Sequence, residues 1–265
     1  MKLQKIINAG KIRKSAELLL NSKSAIALTG AGVSTESGIP DFRGDNGIWD
    51  KYKPEIYANI NSFIKNPQKF WQMAEKVAPK LFTAKPNPGH IALAELENMD
   101  ILKAIITQNI DELHQKAGAV LVYEVHGNIN RFSCFGCRAS YTKKQVMRKL
   151  KKEKSYPPKC DICAAPLKPS VVLFGESLPT FEIYQSQALS QKADVMLIAG
   201  SSLLVAPVCD LPAYTLREGG KLIIVNDRPT HLDEKADIVI HHKTGTILPL
   251  ILQEIKKMQN ENIPS

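Results

Sequence analysis

Two cysteine pairs share one spacing, Cys134-x-x-Cys137 and Cys160-x-x-Cys163, with 22 residues between them. Two such knuckles bring four thiolates to tetrahedral reach, the donor set that zinc prefers, and four protein donors leave no coordination position for water or substrate. Zinc bound there is expected to hold a small lobe together and to activate nothing. Four unliganded thiols or a redox pair is the competing reading. The fifth cysteine, Cys209, lies apart at the start of an expected helix and reads as a buried small apolar residue.

The remaining chemistry collects where apolar runs end. After Ala25–Leu28 comes Thr29-Gly30-Ala31-Gly32-Val33-Ser34, a glycine-rich turn of the kind that lets backbone N–H groups approach a pyrophosphate. The third glycine of a dinucleotide fingerprint would fall at Thr35 and is absent, so a tight strand-to-helix turn without ligand fits the same residues. His126 follows the run Val120–Val125 and precedes Gly127, a position suited to proton transfer at a strand end, although a structural histidine is the commoner case. Thr107-Gln108-Asn109-Ile110-Asp111 offers amide donors and acceptors and a carboxylate, or simply a helix cap. Gly200-Ser201-Ser202 and Asn226-Asp227 repeat the placement. Five polar strand ends facing one crevice suit a polar ligand with phosphates and riboses.

The elements that must position these residues follow from the apolar pattern. Short, nearly all-apolar runs at Ala25–Leu28, Ala104–Thr107, Val120–Val125, Val171–Phe174, Val195–Ala199, Leu222–Val225 and Ile238–Ile240 predict strands buried on both faces of a parallel sheet. Helical stretches at Asn87–Asn98, Ile110–Ala117, Thr180–Lys192, Pro207–Arg217 and Ile247–Met258 alternate with them, which predicts an α/β class, a Rossmann-like sheet with helices on both faces. Two segments break the alternation. Residues 44–85 read as a helical insertion and 131–168 as a basic, cysteine-bearing zinc module, together forming a small domain. The large domain is then discontinuous: 1–43, 86–130 and 169–265.

Composition sets the outer bounds. With 265 residues, 44% hydrophobic and 23% charged, wholesale disorder and disulfide scaffolds are disfavoured. The longest charge-free stretch, Val195–Cys209, is too short and polar to span a membrane, and the first residues lack the apolar core of a secretory signal. A cytoplasmic protein with no membrane contact is expected. Of the net charge of +9, +6 comes from Lys143–Lys154, which reads first as a solvated basic helix and second as a weak nucleic-acid contact.

These residues resemble the sirtuin family of NAD-dependent protein deacylases, in its prokaryotic type. The resemblance is carried in order by GAGVSTESGIPDFRG (Gly30–Gly44), KPNPGHIAL (Lys85–Leu93), TQNIDELHQKAG (Thr107–Gly118), EVHGN (Glu124–Asn128), the cysteine knuckles, VVLFGESLP (Val171–Pro179), GSSLLVAP (Gly200–Pro207) and VNDRPT (Val225–Thr230). It implies NAD as a consumed co-substrate in a cleft between the two domains, structural zinc, and acetylated lysine-containing proteins or peptides as partners. Gly30, Ala31, Gly32, Ser34, Asp41, Phe42 and Arg43 would then line the phosphate and nicotinamide end, with Phe42 on a mobile flap. Gln108, Asn109, Ile110 and Asp111 would frame the nicotinamide and its ribose, Asp111 accepting from the carboxamide. Gly200, Ser201 and Ser202 would receive phosphates and the adenosine ribose, and Asn226 and Asp227 the adenosine side.

The resemblance further implies that the peptide pairs by backbone between Val172, Phe174, Gly175 and Glu176 on one side and Leu203, Leu204 and Val205 on the other. His126 would be the base and Asn109 its catalytic companion, with products nicotinamide, free lysine and O-acetyl-ADP-ribose and no hydride transfer. Alternatives with the same fold are a protein mono-ADP-ribosyltransferase and a deacylase for longer chains. Three positions depart from the family's habit: Glu112 and Ala164 stand where glycine is frequent, and Val125 where leucine is common. Ala74 and Val77 stand where members specialised for succinyl lysine carry Tyr and Arg, so an acidic acyl group would lack a bidentate partner.

Overall fold

A computed structural model describes residues 2–42, 47–153 and 155–261, with side chains from residue 9. The chain opens with helix α1 (Lys2–Leu20), enters strand β1 (Ala25–Thr29) and turns through a 3-10 segment, Ala31–Ser37. Four helices follow: α2 (Ile48–Lys51), α3 (Pro54–Tyr57), α4 (Ile60–Lys65) and α5 (Pro67–Thr83). Next come α6 (Pro88–Asn98), β2 (Leu102–Thr107), the single turn α7 (Leu113–Lys116), β3 (Val122–Glu124), β4 (Gly127–Cys134), β5 (Ser140–Thr142), α8 (Lys143–Glu153) and β6 (Leu167–Val171). The last third alternates: α9 (Thr180–Lys192), β7 (Val195–Ala199), α10 (Leu211–Arg217), β8 (Lys221–Val225), β9 (Ile238–Ile240) and α11 (Thr244–Glu261).

Six strands form one all-parallel sheet in the order β3-β2-β1-β7-β8-β9. Alternate residues of each central strand feed different cores, as strands covered on both faces must. Ala25, Ala27, Leu197, Ala199 and Ile223 pack with α6 and α11, whereas Ile26, Leu28, Met196, Ile198 and Ile224 pack against the α9–α10 side. A third core serves the small sheet β5-β4-β6, which is antiparallel. It takes Phe63, Phe70 and Trp71 from the helical segment and Phe132, Tyr141 and Leu167 from the cysteine-bearing one. Trp71 spans the two, stacking on Phe132 at 6.2 Å between ring centroids and donating Nε1–H to Leu167 O at 3.0 Å. Strands β4 and β6 run through 130–131 and 168–169, so the small sheet draws residues from both sides of those positions.

Several elements differ from the sequence expectation. The apolar run Val171–Phe174 is no strand of the parallel sheet: its first residue ends β6, where Val171 pairs with Gly127, and Phe174 bridges Asn59. The strand expected from Val120 begins at Val122, with Val120 itself 84% exposed. The helix expected from Ile110 starts only at Leu113, because Glu112 sits at φ +61° and cannot be helical. Over Pro207–Arg217 a 3-10 turn, Val208–Asp210, precedes α10. Cys209 is half-buried beside Asp210, less enclosed than a core thiol. Helix α1 had no clear signal, since apolar and charged residues mix around it. The basic run does form a helix, α8, through Glu153; Lys154 lies outside the described residues.

Candidate active site

The strand order reverses between β1 and β7, and in open α/β sheets ligands bind outside the carboxyl ends at such a switch point. A cleft of about 960 Å³ opens there. Its floor is backbone packed on backbone: Gly32 N–H donates to Gly200 O at 2.8 Å, and a Cβ added at Gly32 would lie 2.8 Å from Gly200 Cα. Gly200 has φ +60°, and a Cβ there would lie 2.2 Å from Val33 N. No other residue fits either position. The turn therefore differs from an open phosphate nest in one respect, since the Gly30 and Gly32 N–H groups are spent on Ala199 O and Gly200 O.

Above this floor stand side chains from four strand ends, those of β2, β3, β7 and β8. Gln108, following β2, donates Nε2–H to Ser201 Oγ at 2.9 Å and so ties the β2 end to the β7 end. His126 follows β3, and its Nδ1 lies 3.1 Å from Gln108 O. A carbonyl only accepts, so Nδ1 carries a proton, and in the neutral ring Nε2 carries the basic lone pair. Asn226, at the end of β8, donates Nδ2–H to Arg228 O at 2.6 Å.

Beneath Asn109 lies a buried polar chain. Asn87 N–H donates to His90 Nδ1 at 3.3 Å, which leaves Nε2–H to donate to Ser34 Oγ, also at 3.3 Å. Ser34 Oγ accepts from Asn109 Nδ2 at 3.0 Å and donates to Asp111 Oδ2 at 2.7 Å. Asp111 Oδ1 accepts the Leu113 N–H at 2.9 Å. Burial raises the Asp111 pKa, with those two hydrogen bonds and the Lys116 charge pulling the other way. Next to this chain, His114 Nε2 contacts Thr29 Oγ1 at 2.9 Å, and the His90 and His114 rings stand 5.0 Å apart. Desolvation holds His90 down at about 4 and His114 well below the usual imidazole value, so both are neutral.

The opposite wall is apolar except for Lys80. Helix α5 presents Phe70, Met73, Ala74, Val77, Ala78 and Leu81 to the cleft, spaced as one helical face. Phe42, Trp49 and Phe174 form an aromatic row at its mouth, with centroids 5.1 and 6.0 Å apart. The segment after β6 is held by Val172 N–H to His126 O at 2.9 Å, Phe174 N–H to Ala58 O at 2.8 Å and Ile60 N–H to Phe174 O at 2.9 Å.

None of the four clustered cysteines lines the cleft; their sulfurs lie within 4.8 Å of one another, with Cys134–Cys163 at 3.3 Å and Cys137–Cys160 at 3.6 Å. A tetrahedral zinc with bonds of about 2.3 Å needs sulfurs about 3.8 Å apart, close to this spread. The Gly136 and Cys137 N–H groups point at Cys134 Sγ, and the Ile162 N–H at Cys160 Sγ, as thiolates require. The donor set fits structural zinc.

Most of the residues singled out in the sequence line this one cleft: Gly30, Ala31, Gly32, Asp41, Phe42, Gln108, Asn109, Ile110, His126, Gly200, Ser201, Ser202, Asn226 and Asp227, with Val172, Phe174, Gly175, Glu176, Leu204 and Val205 at the apolar end. Ser34, Asp111 and Leu203 stand behind the wall, Asp111 only 3% exposed and Leu203 packed into the α9–α10 core. Arg43 lies outside the described residues. Sequence reasoning gave no site role to Asn87, His90, His114 and Thr29, whose signal was weak: Thr29 closes an apolar strand, and the others sit in the polar stretches KPNPGH and DELHQK, where one more polar residue does not stand out. It also left out Ile129, Thr230 and Lys243 on the lining.

Comparison with known proteins agrees with this geometry. Residues 30–207 match the Sir2 family. NAD-dependent protein deacylase 2 of Archaeoglobus fulgidus is 45% identical over 251 residues, 94% of this chain and 98% of that protein. An NAD-dependent protein deacetylase of Sulfurisphaera tokodaii is 48% identical, covering 92% of this chain and 95% of its own length. A solved Sir2 enzyme superposes with a TM-score of 0.88 at 43% identity, covering 94% of this chain and 99% of that one. Another, bound to a deacetylated p53 peptide and 3′-O-acetyl ADP ribose, reaches 0.88 at 40% identity over 92% of this chain and 98% of its own. A glycine floor at the switch point, an oriented histidine and a four-cysteine cluster are thus held by a chain that matches these proteins nearly end to end, and it belongs to the Sir2 family.

Proposed function

We propose that this chain is an NAD-dependent protein lysine deacetylase, releasing nicotinamide, free lysine and O-acetyl-ADP-ribose. The observation that carries the reading is His126, oriented by Gln108 O so that Nε2 holds the lone pair, in the same cleft as the Gly30–Gly32 and Gly200–Ser202 turns. NAD, when bound, supplies a ribose carbon that parts from nicotinamide and takes up the acyl oxygen of the substrate. His126 Nε2 then removes a proton from a ribose hydroxyl as general base. Asn109, held from below by Ser34, positions that ribose, and Gln108, anchored on Ser201, closes the side. Gly30, Ala31 and Gly32 line the phosphate and nicotinamide end, which Asp41 and Phe42 cover; Gly200, Ser201 and Ser202 receive the phosphates and adenosine ribose; Asn226 and Asp227 face the adenosine. Asp111 acts through Ser34, since both its oxygens are engaged.

Acetylated peptide lies between Val172–Glu176 and Leu204–Val205, and the acyl group points to the α5 wall. Ala74 and Val77 are small and uncharged there, which favours acetyl or longer apolar acyl groups over succinyl. Residues 1–43, 86–130 and 169–265 form the dinucleotide domain, and 44–85 with 131–168 the small one; the shared Phe63–Trp71–Phe132 core supports that division. Among the described residues no helix is long and apolar enough to cross a membrane, and four close thiols suit a reducing compartment such as the cytoplasm. The α8 face bearing Lys144, Arg148, Lys151 and Lys152 is a weak nucleic-acid contact, visible as a mobility shift at low salt and lost at physiological salt.

One assay tests the enzyme reading: NAD with acetyl, succinyl and myristoyl peptides, products read by mass. O-acetyl-ADP-ribose from the acetyl peptide is expected. Nicotinamide release with the acetyl group retained and ADP-ribose on protein would select the transferase alternative, and no turnover would overturn both.

A further inference from the structure

The residue that braces the peptide-docking segment lies outside it. Lys168, in β6, is only 6% exposed, and burial lowers its pKa while the Glu176 carboxylate pulls it back up. Its Nζ donates to Val171 O at 2.5 Å and Pro169 O at 3.3 Å and pairs with Glu176 Oε2 at 3.0 Å. The same Glu176 oxygen accepts the Leu173 N–H at 3.0 Å, and Glu176 N–H returns to Leu173 O at 2.9 Å. Between these residues stands Gly175 at φ +80°. One buried ammonium thus ties both ends of the loop 171–176, and the Glu176 side chain is turned inward. The other faces of the loop are pinned to His126 O, Ala58 O and Ile60 N–H.

We infer that Lys168 is a positioning residue for substrate recognition, fixing through Glu176 the backbone course of Val172–Gly175 against which the acylated peptide pairs. This rests on the deacetylase reading. A peptide bound through main-chain hydrogen bonds needs the receiving edge ordered before it arrives, because ordering it on binding costs affinity. Lysine suits the place: three donors on one nitrogen reach two carbonyls and a carboxylate.

The test is steady-state kinetics on the full chain with an acetyl-lysine peptide and NAD. Lys168→Met should raise the peptide KM about tenfold, the loss falling on KM rather than kcat, and leave the NAD KM within about twofold. Lys168→Arg, which keeps charge and donors, should restore most of the affinity. Glu176→Gln keeps the packing if Lys168→Met does not fold, and should speed hydrogen exchange at the Leu173 amide. Unchanged peptide KM and unchanged exchange in these variants would overturn the assignment, as would a parallel rise of both KM values. Absence of NAD-dependent turnover in the unsubstituted chain would overturn the deacetylase reading and this assignment with it; turnover with an unmoved peptide KM overturns this assignment alone.

Discussion

His126 is made useful by a carbonyl. With Nδ1–H committed to Gln108 O, the ring has one tautomer and one orientation, and the proton acceptor faces the cleft. His126→Ala should therefore cut deacetylation by at least about a hundredfold, the ordinary contribution of a positioned general base. Its thermal midpoint should stay close to that of the unsubstituted chain, because the ring is only half-buried on the cleft lining. Product mass and a melting curve check both halves. His126 was legible in the sequence as a histidine at a strand end, and so were the glycines. Asp111 was legible only as a polar residue near the site. Its place behind Ser34 depends on Glu112 leaving the helical region, which no spacing announces.

At the scale of elements, the two positions where the family's glycine is replaced share one backbone property: Glu112 has φ +61° and Ala164 φ +58°. A side chain in the left-handed region costs about 1–2 kcal/mol. Glu112 recovers part of that through the hydrogen bond from Asn130 Nδ2 to its Oε2 at 2.5 Å. Ala164 is exposed and has only a methyl group, so Ala164→Gly should stabilise the small lobe by about 0.5–1 kcal/mol, read as a shift in its unfolding midpoint. The central strands were predictable because each is apolar on both faces. The Val171–Phe174 run was misassigned for the same reason: periodicity cannot tell a parallel-sheet strand from a short run whose first residue alone pairs, antiparallel, with β4. Helix α1 escaped notice because it lacks an apolar stripe.

For the whole molecule, the two buried imidazoles set a pH limit on stability. Both are neutral in the folded state with pKa values depressed by burial, His90 to about 4, whereas unfolded histidines titrate near about 6.5. The unfolded chain takes up the extra protons, so stability is full above about 6.5 and falls as the pH is lowered toward 4. From pH 7 to pH 5 His90 alone should cost about 2 kcal/mol, and His114 adds to the loss in the same direction. Urea midpoints at the two pH values measure it, and His90→Gln should flatten the slope. The two interruptions of strand–helix alternation, 44–85 and 131–168, were legible in the sequence. Their common core was not, since Trp71 and Phe132 are far apart in sequence and meet only through tertiary packing.

The glycine floor has a consequence for how such a cleft diversifies. Where Gly32 and Gly200 meet, peptide abuts peptide, and neither position can take a side chain without parting the two turns. The opposite end is walled by α5, where Ala74, Val77 and Ala78 are only half-buried and can change with less disturbance than the buried Phe70, Met73 and Leu81 beside them. Variation at this cleft is therefore easier along those α5 positions than at the glycine contact, which the sheet holds fixed.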